Sequence, residues 1–458
     1  MLALAGIAAL IVGLIVFNKT LELERTGRSV TVTGWALAVL LVDLIAFRDN
    51  ADVPVGLFRL PLGSFDVRWP DIILAVVLGA RALNRRMPSR ISGITAAWGA
   101  FLMLYLAGGV TGFFFGNSTP LIIFQARGAL MMMAGTLLIA TTDVDQLLSA
   151  PRVRRGVRVI GAVILLGYVS RFAIGGLPLG VIGSPEFGSF GTDGSTVFAG
   201  VGMVLLALSI VEREGATLLA GVGLLAIFST ALVLQGAALL GAFVGGATGL
   251  LFVLGPTFRR RLRLTGTQIT LFAIALATLA GLGLTATGQV EPIIEDVELT
   301  LFSQEQVETS TARELLWSDA TDTISEYPLF GRGLGFTIPI RNTWPEPVTF
   351  TSPHNVPLEA ATRAGLPALI VLVVASLWTL AAATRVWREH PDPRIAAIAI
   401  GSALAVTNFL GKGAVESVFD KPVLSLGLGL FVGLIVACVA STSRAVEAAQ
   451  ERALVTRA

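Results

Sequence analysis

His354 stands directly before a long apolar run and is one of two histidines in the chain. Asn355 follows it and can cap a helix, and Pro357 suits the first turn of that helix, expected to begin near Leu358. The positive potential at a helix N-terminus favours a neutral imidazole, which can take a proton from a hydroxyl. This pattern predicts a general base, although a loop histidine without a role has the same pattern. The other histidine, His390, is assigned no role.

Arg313 is the second candidate for chemistry. Thr311 with Glu314 three residues later forms the pattern of a capping box, which predicts a helix that begins at Thr311. Arg313 would then lie in the first turn, on the face that also carries Trp317. Because the N-terminus of a helix is suited to bind an anion, this end is a candidate phosphate site. An arginine that covers Trp317 at the surface is the alternative.

Two further arginines lie in the same polar segment, 288–355, which is otherwise acidic. Tyr327-Pro328 is expected to end the helix, and a flexible glycine-rich turn, 331–335, follows it. Arg332 lies inside this turn, and Arg341 lies beyond it. The turn is not a phosphate loop, because no strand precedes it and no Lys-Ser/Thr pair follows it.

The elements that must position these residues are membrane helices. The chain is 54% hydrophobic and 14% charged, whereas soluble domains have about 25% charged residues. Its mean hydropathy is +0.78, and apolar runs of about 20 residues recur along it. This predicts an all-α polytopic membrane protein with about 12–13 transmembrane helices. The spans are expected at about 2–17, 30–47, 70–83, 92–115, 121–141, 157–176, 195–211, 216–233, 237–255, 268–287, 358–383, 395–411 and 422–440.

Charge and cysteine content exclude other classes of protein. The net charge of +2 is too small for a nucleic-acid-binding surface, and the arginines gather in short loops. The single cysteine, Cys438, can form neither an internal disulfide nor a thiolate metal cluster. The first residues carry no basic region, which favours a first span over a cleaved signal.

Arginine clusters between the spans orient the chain. Counting spans places all the clusters on one side, which the positive-inside rule makes cytoplasmic, so the segment 288–355 is expected to be extracytoplasmic. The clusters are Arg85, Arg86 and Arg90; Arg152, Arg154, Arg155 and Arg158; Arg259, Arg260, Arg261 and Arg263; Arg385, Arg388 and Arg394.

A few polar residues fall inside the expected spans. Gln125, Arg127 and Arg171 lie in the half of the membrane that faces His354. Intramembrane charge is costly and therefore indicates function by default, although snorkelling or packing explains it equally well. Three charged residues of the short outer loop after the twelfth span are expected to be solvated: Lys412, Glu416 and Asp420.

The order of these motifs resembles the O-antigen ligase and O-antigen polymerase superfamily, which also includes bacterial protein O-oligosaccharyltransferases. The resemblance rests on Arg313 with Trp317, on the run Pro-Leu-Phe-Gly-Arg-Gly-Leu-Gly at 328–335, on His354-Asn355 with Leu358, and on Ala-Gly-Leu-Pro at 364–367. It covers about residues 195–385 and is sharpest at 310–370.

The resemblance implies a GT-C-like, inverting membrane glycosyltransferase with a large extracytoplasmic loop, multi-pass in the plasma (inner) membrane. Its donor would be a polyprenyl-diphosphate-linked oligosaccharide, and it would need neither a metal nor another cofactor. His354 would act on the acceptor hydroxyl, and Arg313 would help to hold the diphosphate. The acceptor, a glycan, a lipid or a protein, stays open.

One position departs from the family. Where the family has Ser-Arg-Gly, this chain has Gln235 in place of the arginine. Further diphosphate-binding candidates are therefore Arg171, Arg127, Arg332 and Arg341, with Asn355, Gln235 and Trp317 as support. The expected regions are 1–194 and 195–287 (N-terminal and central transmembrane helices), 288–357 (extracytoplasmic catalytic loop) and 358–458 (C-terminal helices with a cytoplasmic tail).

Two functional hypotheses follow from this pattern. The first is transfer of a glycan from the lipid carrier to an acceptor hydroxyl in surface polysaccharide biosynthesis, with a protein O-oligosaccharyltransferase as the alternative within the same chemistry. The second is a lipid or polysaccharide transporter, which would need charged residues along a route through both leaflets. Here the candidate residues gather on one side, and no internal repeat is apparent.

Overall fold

The fold is a bundle of membrane helices with two short β-hairpins. The computed structural model describes residues 15–46, 59–62, 65–84, 92–147, 149–173, 191–212, 215–228, 236–254, 304–340 and 348–455. The helices are α1 (15–25), α2 (Ser29–Ala46), α3 (Trp69–Leu83), α4 (Gly93–Phe114), α5 (Thr119–Ala140), α6 (Val144–Leu147), α7 (Ala150–Ala173), α8 (Gly191–Val211), α9 (Ala216–Phe228), α10 (Gly236–Leu254), α11 (Gln304–Glu326), α12 (Val356–Glu389), α13 (Pro393–Gly413) and α14 (Pro422–Val455).

Within this described part of the chain, six helices are long and apolar enough to cross a membrane: α4, α5, α8, α12, α13 and α14. Their bounds agree with the spans expected from the sequence to within a few residues at most ends. The predicted all-α polytopic membrane protein is therefore confirmed. The expected spans 2–17 and 268–287 fall mostly or wholly outside the described residues, so the total of about 12–13 helices stays a prediction.

The two hairpins are antiparallel pairs of short strands. β1 (Arg59–Leu62) pairs with β2 (Phe65–Arg68) just before α3. β3 (Ile338–Ile340) pairs with β4 (Val348–Phe350), with Ile338 opposite Phe350. The second hairpin matters for the site, because β4 leads directly into the residues around His354.

Small residues allow the central helices to approach closely. α13 is buried along almost its whole length and packs against α8, α10, α12 and α14. Between α5 and α14, a side chain at Gly429 would collide with the carbonyl of Met132. Such small-residue contacts are the usual basis of helix packing in membranes, and here they form the closely packed frame that carries the site.

α12 is broken by a kink near its start. Gly365 has φ 81° and ψ 173°, which is not helical, and Pro367 follows it. The freed amide of Leu366 donates to the carbonyl of Pro328 (2.8 Å). A Cβ at Gly365 would collide with the backbone of Leu329. The kink therefore makes room for the turn that ends α11.

The helix expected to begin at Thr311 begins earlier, at Gln304. The capping-box prediction was wrong because Gln304, Glu305, Gln306 and Glu308 are good helix formers, and acidic residues in a first turn suit the helix dipole. Arg313 therefore lies about two and a half turns into α11. It is not at the helix N-terminus, so the anion-binding argument from the helix dipole does not apply to it. The predicted end at Tyr327-Pro328 is confirmed.

Candidate active site

His354 lies between β4 and α12 in a left-handed backbone conformation, with φ 50°. Its amide donates to the Ser352 hydroxyl (3.1 Å). The imidazole meets the ring of Phe350 edge-on, with 6.4 Å between the ring centroids. A positive φ is uncommon for a residue other than glycine and is maintained only when its surroundings enforce it. The surroundings of His354 are therefore central to the site.

Asn355 caps the start of α12, as predicted. Its Oδ1 accepts from the amide of Leu358 (3.0 Å), which makes it the N-cap of α12. Its Nδ2 donates to the carbonyl of Ala414 (2.8 Å), in the loop of residues 414–421 between α13 and α14. Pro357 lies in the first turn, as expected. Asn355 thus joins the start of α12 to the 414–421 loop.

Trp317, on α11, contacts the residue before His354. Its indole N–H donates to the carbonyl of Pro353 (2.9 Å), the residue before His354. α11 is held there by a small apolar cluster of Leu316, Ala320 and Ile338. Trp317, the tryptophan predicted from the sequence, therefore joins α11 to the histidine loop, which comprises residues 351–355 between β4 and α12.

Replacement of Trp317 by phenylalanine is expected to lower turnover up to about tenfold with little change in KM. The variant keeps the ring but loses a hydrogen bond worth about 0.5–1.5 kcal/mol. Initial rates of glycan transfer at saturating donor measure the effect. Trp98→Phe is the matched control, because the Trp98 indole donates to Thr379 (2.9 Å) far along the chain from His354. Equal turnover in both variants would contradict a positioning role for Trp317.

A buried ionic network lies directly beneath the histidine loop. Both guanidinium ends of Arg363 donate to Asp420 (2.6 and 2.7 Å), and the same group pairs with Glu359 one turn earlier on α12. Arg363 also donates to the carbonyl of Thr351 (2.7 Å). The Tyr105 hydroxyl accepts from Arg363 (2.6 Å) and donates to Glu359 (2.9 Å). The network thus fixes the backbone three residues before His354.

Gln125 holds the same backbone from α5. Its Nε2 donates to the carbonyl of Thr351 (3.0 Å), and its Oε1 accepts from the amide of Gly335 (2.7 Å). The side chain is fully buried. Gln125 therefore joins the glycine-rich turn to the histidine loop, which explains a polar residue at this depth.

The glycine-rich turn is held rigidly, so its expected flexibility was wrong. The amide of Arg332 donates to the carbonyl of Thr362 (2.7 Å), and the amide of Leu334 donates to the carbonyl of Gly108 (2.8 Å). Gly333 has φ 85°, and a Cβ there would collide with the backbone of Gly112. The glycines let the turn insert between α4 and α12 at the level of the kink.

Two candidate arginines already have partners. The Arg332 guanidinium lies over the rings of Phe115, Tyr327 and Phe336, at 4.6, 4.8 and 5.4 Å from their centroids. Arg127 forms a two-point ion pair with Asp71 (3.2 and 2.6 Å). A phosphate would have to share these cations with their present partners.

The other candidates are less fully placed. Arg313 lies on α11 and Arg171 near the end of α7. Arg341 and Gln235 lie outside the described residues. The structure therefore brings together His354, Asn355 and Trp317 and leaves the assignment of the diphosphate ligands as a prediction.

The expected solvation of Lys412, Glu416 and Asp420 was wrong, because these side chains, at the end of α13 and in the 414–421 loop, are at most 10% exposed. Lys412 is fully buried, with its ammonium 3.1 Å from Asp193 and 3.5 Å from Glu416. Lys421 pairs with the same two carboxylates. Burial disfavours the Lys421 ammonium, but Asp193 and Glu416 outweigh it and raise its pKa above the usual value. Asp420 is occupied by Arg363. These ions pack inward because they neutralise one another.

The ends of the helices far from His354 carry a second polar cluster. Asp145 accepts from Ser441 (2.8 Å) and pairs with Arg444, and Ser441 also contacts His390. Among the described residues no group of three or more His, Cys, Asp or Glu side chains could hold a metal ion. His390 is thus part of a hydrogen-bonded chain that ties α12 to α14.

The region of the chain that contains this site matches a known protein family. Residues 223–373 match the family described as O-antigen ligase. The chain carries a domain of the O-antigen ligase superfamily. The O-antigen ligase domain includes α11, the glycine-rich turn, His354, the ion pair of Glu359 with Arg363, and the kink. No curated protein matches the chain.

The match to the O-antigen ligase family indicates the broad activity of the protein. It indicates a glycosyltransferase-like enzyme of surface polysaccharide biosynthesis, in a multi-pass membrane protein. The family also implies a lipid-linked glycan as donor.

The ionic network was not predicted from the sequence, although the sequence contains a signal for it. Glu359 and Arg363 stand four residues apart at the start of an apolar span, which is the spacing of an ion pair on one helix face. Charged residues in a span indicate a functional or structural site by default. Their partners Tyr105 and Asp420 are distant along the chain, and the sequence pattern carried no sign of that contact.

Proposed function

We propose that the protein transfers a glycan from a polyprenyl-diphosphate carrier to an acceptor hydroxyl on the outer face of the plasma membrane, with His354 as general base. The observation that carries the proposal is the enforced left-handed conformation of His354 at the start of α12. Trp317 contacts Pro353, Asn355 caps α12, and the network around Arg363 holds Thr351, three residues before His354. Strain that several independent contacts maintain is typical of active sites.

In the proposed reaction, one bond to the anomeric carbon forms as another breaks. The acceptor oxygen forms a bond to the anomeric carbon of the donor while the bond from that carbon to the diphosphate oxygen breaks. The hydroxyl proton passes to His354, and the polyprenyl diphosphate leaves as an anion. Attack from the face opposite the leaving group inverts the anomeric carbon. Fixed cations stabilise the charge that develops on the diphosphate.

Arg313 is the proposed diphosphate ligand, and Arg313→Ala is expected to raise the apparent KM for the donor about 10–100-fold. This corresponds to a charged hydrogen bond of about 1.5–3 kcal/mol. Arg313→Lys is expected to restore little of the loss, because a point charge does not reproduce the two-point contact of a guanidinium. Turnover against donor concentration measures both variants, with Arg385→Lys as a control far from His354. Full activity in Arg313→Lys would contradict a bidentate contact.

The function in the cell is tested by the surface glycan of a deletion strain. We expect loss of one polymer or of its attachment, with recovery on expression of the wild-type chain and none on expression of His354→Ala at equal protein level. The structure of the missing product also identifies the acceptor as glycan, lipid or protein. A deletion strain with an unchanged surface would contradict the proposed function.

A further inference from the structure

A large apolar cavity lies away from the candidate active site. It has a volume of about 380 Å³ and lies among α2, α5, α7, α8 and α14. Its walls are almost entirely aliphatic and aromatic, for example Leu40, Val157, Val201 and Phe431. His354 and the other candidate site residues do not line it. An apolar cavity between membrane helices is suited to a hydrocarbon chain.

The cavity extends over more than one leaflet. On α8 the lining runs from Val197 to Leu208, and on α14 it runs from Val423 to Leu434. Either stretch is about 16 Å long at the rise of an α-helix. The hydrocarbon core of a bilayer is about 30 Å thick, so the α8 stretch alone is as long as one leaflet. The α14 stretch begins beside the 414–421 loop on the His354 side. The α8 stretch ends near the opposite side, where Glu212 pairs with Arg394, so an acyl chain that enters from there reaches the middle of the membrane.

One charged residue lines the cavity and lies at its end. Arg152 stands in the first turn of α7, at the end of the helices remote from His354. Its side chain is exposed and donates to the carbonyl of Gln146 (2.5 Å). In the part of the chain that the structure describes, no carboxylate pairs with it. Arg155 and Arg158 are also exposed on this helix.

We propose that this cavity binds an anionic phospholipid from the leaflet on the arginine-rich side, with an acyl chain inside and the headgroup phosphate on Arg152. The guanidinium matches a phosphate in charge and in the geometry of its donors. Basic residues beside a membrane surface attract anionic lipids in any case. The proposal does not depend on glycan transfer, because cavity and candidate active site share no residue.

The headgroup contact is tested by thermal unfolding of the purified full chain in neutral detergent. Added phosphatidylglycerol should raise the midpoint by about 3–5 °C, and phosphatidylcholine should raise it less. Arg152→Gln should lose the difference between the two lipids. Arg158→Gln is the matched control, because Arg158 is exposed on the same helix but does not line the cavity. Equal loss in both variants would overturn a specific headgroup site.

The contact between the cavity and the acyl chain is tested by filling the cavity. Gly156 lines it, and a Cβ there meets no atom within 4 Å. Gly156→Leu should therefore fold and should lose the stabilisation by both lipids. Gly221→Leu is the control, because Gly221 is also helical with open space around it but lies outside the cavity. If Gly156→Leu fails to fold, native mass spectrometry of the wild type and Arg152→Gln decides, with bound phospholipid expected on the wild type and its loss in the variant.

Other occupants give different results. Persistence of the phosphatidylglycerol effect in folded Gly156→Leu would mean binding at the surface only. Stabilisation by a polyprenyl phosphate that does not depend on Arg152 would assign the cavity to the chain of the glycan donor. Wild-type protein recovered as a dimer without phospholipid would assign it to a second copy. Each of these results would overturn the proposal.

Discussion

Replacement of His354 by alanine is expected to lower glycan transfer about 100-fold or more, with correct membrane insertion and little change in donor binding. General-base help contributes about 10²–10⁴-fold to such reactions. The effect should fall on turnover because the imidazole acts on the acceptor proton and not on the diphosphate. The measurement is the initial rate with purified protein and lipid-linked donor at saturation.

The His354 variant has a matched control in the second histidine. His390 lies at the opposite end of α12, where its ring contacts Ser441 (3.1 Å), so His390→Ala is the control. We expect this variant to lose some stability and to keep its turnover. If His354→Ala retains near-normal transfer, His354 is not the base, even if the protein is a glycosyltransferase.

Removal of Arg363 is expected to have the largest effect on stability. Arg363→Met would leave the buried carboxylates of Glu359 and Asp420 without their cation. Breaking a buried pair in this way costs about 3–5 kcal/mol, so we expect a strongly lowered unfolding midpoint and poor expression. The backbone at Thr351 would also lose a hydrogen bond, so residual protein should transfer glycan slowly.

A surface pair on the same helix supplies the control for Arg363. Arg385 pairs with Glu389 four residues later, the same sequence separation as the pair of Glu359 with Arg363, but its side chain is 71% exposed. Arg385→Met should change stability by at most about 1 kcal/mol. The double variant Glu359→Gln with Arg363→Met should recover part of the loss, because one unpaired charge is removed. Equal unfolding midpoints for Arg363→Met and Arg385→Met would contradict the network as a stabilising element.

The parts of the fold that the sequence predicted are those set by local chemistry. Apolar length predicted the spans, Asn355 and Pro357 predicted the start of α12, and Tyr327-Pro328 predicted the end of α11. Each depends on residues within one or two turns of the position in question. For the same reason the motif around His354 was recognisable without a structure.

The parts that the sequence did not predict depend on distant contacts. The glycine turn has the composition of a flexible loop, yet Gly333 allows a contact with Gly112, which lies far away along the chain. Lys412 lies in a loop-like segment by sequence, yet Asp193 on α8 makes its burial favourable. The start of α11 was misplaced because Thr311 with Glu314 fits a capping box equally well inside a helix. In each case tertiary packing decided between locally similar alternatives.

Acceptor-dependent cleavage of the donor tests the central claim most directly. Purified protein would be placed in vesicles of neutral phospholipid with a fluorescent polyprenyl-diphosphate glycan and acceptor. We predict that glycan appears on the acceptor in step with release of polyprenyl diphosphate, with the anomeric configuration inverted and with this release lowered about 100-fold or more in His354→Ala. Movement of intact lipid-linked glycan between leaflets without cleavage would instead indicate a transporter and would contradict the proposed function.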